Sequence, residues 1–197
     1  MPIFIGSHNS QVNLWQSAGM DPNAREGWGA RMLELMQLQS TAITPNISLD
    51  KSQLFTTTLN MPTFTVNPRG VQNIPRIYDE NSVPAQQALF YKLQNQQRAN
   101  LMGSELAARH IRTLENSADL AEVLTNTNET QVNYPATVGH AATNFQLQLK
   151  MAARLVEAAP SLNQNRQVIM VQMHGYDTHD NQDRDLPKLV SALFENL

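Results

Sequence analysis

The feature that most limits what this chain can fold into lies near its C-terminal end. Gln167-Val168-Ile169-Met170-Val171-Gln172-Met173 has strand length, and both of its alternating sets of side chains are mostly apolar. Such a run reads as a strand covered on both faces, central in a parallel sheet flanked by helices. It leads into His174-Gly175-Tyr176-Asp177-Thr178-His179-Asp180-Asn181-Gln182, a polar segment crowded with imidazoles and carboxylates. Ligands of open α/β sheets gather at the C-terminal ends of strands, so this turn is the first place to look for chemistry.

In an extended segment, residues two apart point the same way, so Asp177 and His179 could converge on one cation. A carboxylate with an imidazole suits a divalent metal; zinc, manganese, calcium and magnesium are not distinguished by this pair. Two ligands do not complete a site. The remainder would come from His8, His174, Asp180 or residues outside this chain. Asp177 and Asp180 equally suit helix N-caps and Asx-turns, and the local pattern leaves metal binding and capping both open.

The preceding chain reads as helices with short β segments. Ile3 to Ile5 suggests a short strand, and Ser7 an N-cap for a helix carrying His8, Gln11 and Trp15 on one face. Trp15 is expected in the core. A second helix is expected over Ala30 to Gln37, with Arg31 solvated or reaching an anion. Asn46 to Asp50, Phe55 to Leu59 and Thr63 to Val66 read as short strands, punctuated by Pro62, Pro68 and Pro75. Pro84 opens a helix to Gln97, and a longer one runs from Leu101 to Leu124. His110 lies at the edge of its apolar stripe and reads as structural or surface. Asn128-Glu129-Thr130 matches the short glycosylation pattern, Tyr134-Pro135 is a turn, and His140 belongs to a loop. Phe145, Leu149, Ala152, Val156 and Ala159 predict an amphipathic helix from about Asn144, which Pro160 ends. Leu186, Leu189, Val190, Leu193 and Phe194 predict a last helix.

Composition narrows the function. The net charge of −3 offers no basic footprint for nucleic acid. No apolar run approaches the ~18 residues of a transmembrane helix. The absence of cysteine excludes disulfides and thiolate sites. Charged residues make up only 16%, and Asn, Gln, Ser and Thr fill the gap, which predicts a polar, weakly charged surface suited to glycans or partners. The start has no basic region of a signal peptide, and the end stops inside a helical pattern, so both ends suggest a piece of a longer chain.

Gly175-Tyr176-Asp177-Thr178-His179-Asp180-Asn181-Gln182, after its strand, closely resembles the G-[FY]-D-T-H-x-x-Q signature of a bacterial family known as domain of unknown function 1501. Ser7-His8-Asn9-Ser10-Gln11 through Trp15, then Gly27-Trp28-Gly29-Ala30-Arg31-Met32, look like that family's S-H-x-x-Q…W and G-W-G-G-R-[LM] segments in the same order. The likeness is specific at both ends and weak from Lys51 to Val138. It implies a helix-rich α/β fold, part of an α/β/α sandwich of the alkaline-phosphatase and sulfatase type, with residues 1–197 forming one partial domain. It implies twin-arginine export, a periplasmic location and divalent-metal chemistry. Asp177 and His179 match the family motif and become the first ligand candidates, followed by His8. His174 stands where the family usually has glycine, and it and Asp180 are weaker candidates. The function implied is metal-dependent hydrolysis of a phosphate or sulfate ester, on a small molecule or a polysaccharide. The nucleophile would lie on an N-terminal strand this chain lacks, so the piece alone is expected to be inactive. The alternative is a non-catalytic exported binding or assembly protein with the same fold.

Overall fold

The structure, a computed structural model, describes residues 7–19, 21, 23–36, 43–51, 53–70, 83–96, 100–127, 140–178 and 180–194, with backbone alone for 140–143. The expected strand Ile3 to Ile5, the glycosylation pattern at Asn128, the turn at Tyr134-Pro135, and Pro75 lie outside these residues. The fold is α/β, helix-rich and with few strands. The chain divides into two compact units, residues 1–69 with 127–197, and residues 70–126.

The first unit holds a parallel sheet. Its strands are β1 (Asn46–Ser48), β2 (Phe64–Thr65) and β3 (Val168–Met170), in the order β2-β1-β3. Asn46, Ile47 and Ser48 are all buried, so β1 is covered on both faces. The expectation that the Gln167–Met173 run is central is therefore corrected: among the described strands β1 holds the centre and β3 lies beside it. The run also leaves the ladder early. Leu49 N–H still donates to Met170 C=O at 2.9 Å, but both backbone groups of Gln172 are taken by a side chain, Gln148.

Helix α1 (His8–Ser17) starts where Ser7 predicts, with the Ser7 hydroxyl accepting from Ser10 N–H at 3.5 Å. Helix α2 (Trp28–Leu35) begins two residues before the expected Ala30 and ends before Gln37. Its N-cap is Gly27, whose N–H donates to Thr57 C=O at 2.8 Å. A Cβ at Gly27 would overlap the backbone carbonyls of Leu54 and Phe55, so only glycine admits this approach.

The expected strand Phe55 to Leu59 is instead a 3-10 turn, Leu54–Thr56. The cause is local. The hydroxyls of Thr56 and Thr57 both donate to Gln53 C=O, at 3.1 and 2.9 Å, and bend the chain where β-propensity alone would extend it. Phe55 thereby drops into the core with Leu33 and Val168, joined by Met61 and Met170. Trp28 meets the Phe55 ring edge-on at 4.7 Å, and Trp15 stacks on it at 6.1 Å. Trp15, expected inside, is 62% exposed because Phe55 fills the position beneath it.

Helix α5 (His140–Ala158) starts earlier than expected and includes His140, read as loop, as its first residue. Its buried stripe is Phe145, Gln148, Met151, Leu155 and Ala158; it shares Phe145 with the predicted apolar series and runs one position before it from Gln148 onward, and Val156 is exposed. The offset has one source: a glutamine occupies a core position. Four amide side chains, Gln16, Asn46, Gln148 and Gln164, are likewise buried. Asn46 donates to Thr56 C=O at 2.6 Å, while its Oδ1 has no partner among the described residues.

Helix α6 (Gln182–Phe194) follows the polar turn and none of its described residues is buried. In the second unit, α3 (Pro84–Gln94) and α4 (Leu101–Thr125) pack on each other, with Pro84 in the first turn of α3 and Asn100 capping α4 through Gly103 N–H at 2.5 Å. His110 is exposed on α4, as its surface reading expected. No described helix is long and apolar enough to cross a membrane.

Candidate functional site

The strands are parallel, so the segments leaving β1 and β3 emerge at the same end of the sheet. Val168, Met170 and Gln172 share one face of the β3 run, turned towards α2 and the 3-10 turn. There the Gln53 amide donates to Gln172 Oε1 at 2.8 Å, and Gln16 donates to Gln53 Oε1 at 3.1 Å. Gln16 Oε1 accepts Phe55 N–H at 3.0 Å. On its backbone, Gln172 gives its N–H to Gln148 Oε1 at 2.7 Å and receives Gln148 Nε2–H on its C=O at 3.0 Å. Gln148, with 0% exposure, thus makes the pair of bonds that a residue of a neighbouring strand would make. This run of amides fixes where the chain leaves β3.

Past Gln172 the chain turns polar. Gly175, between His174 and Asp177, has φ 104, a left-handed conformation that glycine adopts without strain. Tyr176 ties the turn to α6 through its hydroxyl, which donates to Leu189 C=O at 3.4 Å. Asn181, with φ 58, accepts Arg184 and Asp185 N–H, each at 3.0 Å, and opens α6.

The structure brings together residues from opposite ends of the chain. His8, first residue of α1, places Nδ1 3.4 Å from Asp177 Oδ2. His174 Nε2 lies 3.0 Å from Asp50 Oδ2; a carboxylate only accepts, so the ring donates through Nε2. Of the candidates named from sequence, His8 and Asp177 therefore meet. His174 goes to a different carboxylate, Asp50, a residue the sequence reading passed over. The signal was present: Asp50 ends the predicted segment Asn46 to Asp50, at the ligand-bearing end of a strand. Asp180 is exposed, its N–H donates to Thr178 C=O, and it lines an open depression of about 640 Å³ with Asn181, Gln182, Asp183, Leu186 and Pro187 at the start of α6. His179 lies outside the described residues. Arg31, weighed as an anion ligand, donates instead to Ser17 C=O.

A tetrahedral zinc shell with bonds of about 2.0–2.2 Å sets neighbouring ligand atoms about 3.3–3.6 Å apart. The His8–Asp177 separation of 3.4 Å matches that edge and is longer than an ordinary hydrogen bond. Both side chains are open to solvent, at 67% and 54%, so an ion can reach them. Among the described residues, no three His, Asp or Glu side chains come together. The donor types and their spacing fit a divalent ion, and the described residues supply two of the donors.

No protein-family model, curated protein or solved structure matches the chain.

Proposed function

We propose that this chain carries one wall of a divalent-metal site in an exported ester hydrolase, with His8 and Asp177 as ligands and His179 as the third. The observation that supports it most is the meeting of His8 and Asp177 at 3.4 Å from opposite ends of the sequence. The resemblance of the Gly175–Gln182 segment and of the Ser7–Trp15 segment to domain of unknown function 1501 supports the same pairing, because the two motifs meet in space. That resemblance also motivates the export, the periplasmic location and the phosphate or sulfate ester, on a small molecule or polysaccharide. A divalent ion held there would polarise the ester oxygen and lower the pKa of an attacking hydroxyl. The residues of this chain bind and orient: Asp177 is fixed by the turn at Gly175, and His8 by the capped start of α1.

The test uses the natural full-length protein, dialysed against chelator and titrated with zinc and then manganese by calorimetry. The expected result is one tight divalent site that is lost in Asp177→Ala with His179→Ala and weakened in His8→Ala, together with metal-dependent turnover of 4-nitrophenyl phosphate or sulfate. Unchanged metal uptake in the double variant would sink the assignment. The second reading, a binding or assembly protein that keeps the fold without the chemistry, is favoured by the high exposure of both donors. Metal uptake without ester turnover would select it.

A further inference from the structure

We propose that the open face of Trp15 is a sugar-stacking subsite, and that the ester held at His8 and Asp177 is carried on a carbohydrate. The proposal rests on the hydrolase reading above and names the class of its substrate.

Helix α1 sets the geometry. Gln11 and Trp15 follow His8 at helical spacing, so the three side chains share one face of the helix. At 1.5 Å of rise per residue, Trp15 stands about 10 Å from His8 along the axis, a span that a disaccharide fills. All three residues are exposed, and their face of α1 runs on directly from the His8–Asp177 pair.

The Trp15 ring is exposed and yet held in place. It stacks on Phe55 at 6.1 Å with 25° between the planes, and meets Trp28 edge-on at 6.4 Å. Phe55 is itself fixed in the core, because α2 passes over its ring at Gly29, where any Cβ would overlap it. One side of the Trp15 ring therefore rests on rigid core, while 62% of the residue is open to solvent. Its indole N–H has no partner among the described residues.

A sugar ring fits this face. Its axial C–H groups lie flat on an aromatic ring, whose electron-rich face attracts them, and its hydroxyls need polar groups beside that ring. The indole N–H and Gln11, one turn before Trp15, are such groups, and the exposed Val12 between them adds apolar contact. An apolar protein surface laid on the same face would strip water from His8 and Gln11 without replacing it. A tryptophan serving only as a cover for Phe55 has no need of a free donor or of an open outer face.

The test measures binding and not turnover. The natural full-length protein, stripped of metal by chelator, is screened on an array of neutral, sulfated and phosphorylated oligosaccharides, and those retained are titrated by calorimetry. Trp15→Ala is expected to weaken binding about tenfold or more, Trp15→Phe less than about threefold, and Gln11→Ala about fivefold. Thermal unfolding checks that each variant is folded, and Gln11→Ala, on an exposed helix surface, carries the test if Trp15→Ala does not fold. No oligosaccharide retained, or affinity unchanged in Trp15→Ala or in Gln11→Ala, overturns the subsite and leaves the metal site standing. Sugar binding that depends on Trp15, in a protein whose metal uptake survives Asp177→Ala with His179→Ala, overturns the hydrolase reading and the ester with it, and leaves a sugar-binding face.

Discussion

The amides Gln16, Gln53, Gln172 and Gln148 and the pairs His8–Asp177 and His174–Asp50 belong to the same end of one sheet, yet they use polarity in opposite ways. The amides are neutral and linked at 2.7–3.1 Å, and Gln16 and Gln148 are buried. They hold backbone groups that would otherwise be left unpaired, and no change of pH or salt in the ordinary range alters them. The side chains of the two pairs are charged or chargeable, and all but the shielded Asp50 are largely open. An exposed ion pair adds only about 0–1 kcal/mol. The amides thus belong to the architecture, and the proposed metal site draws on the titratable groups.

The sharpest break of this contrast is Gln148→Leu. It leaves the N–H and C=O of Gln172 without partners, and urea unfolding is expected to show a loss of about 2–4 kcal/mol that is the same at low and high salt. A loss under about 0.5 kcal/mol would mean water replaces the amide and the contrast is empty. Gly175→Ala comes next, at about 1–2 kcal/mol, because a Cβ is strained at φ 104. Asp177→Asn is expected to cost less than about 1 kcal/mol while metal uptake falls. A larger cost would assign the pair to the architecture instead.

The smallest effect is on the pH profile. The hydrogen bond from the Arg184 guanidinium holds the Asp185 carboxyl below the usual carboxylate range. A carboxyl whose folded pKa is lowered favours the folded state above its unfolded value, about 3.9, and that contribution is lost as pH falls through the lowered value. Asp185→Asn should therefore lower stability slightly at neutral pH, leave it unchanged in acid below the lowered value, and so flatten the acid limb of the profile. Arg184 is exposed and Asp185 half-buried, so high salt should shrink the difference.

Much of the scaffold was legible because local signals specify it. Ser7 caps a helix, Pro84 starts one, and the long apolar periodicity of α4 marks its length. The misses share a cause, which is that tertiary context overrode a local rule. Gln148 reads as surface by type and is core by position, and this shifted the predicted stripe of α5. Phe55 to Leu59 has strand-forming residues but bends around Gln53 C=O. Trp15 reads as core and yields that place to Phe55. At the site, the individual residues His8, Asp177 and His174 were readable, and the pairing of His174 with Asp50 was not. No spacing rule links positions 124 residues apart.

The link between Gln148 and Gln172 also bears on the entropy of chain closure. It spans only 24 residues, whereas the ladder between β1 and β3 joins Asn46 to Val168. Chain closure over the shorter loop costs less entropy, so α5 and the β3 run can dock as one local piece before β1 arrives. On that order, parallel pairing meets a strand whose end is already set, and Gln148→Leu is expected to slow folding as well as to weaken the finished sheet, which stopped-flow refolding checks.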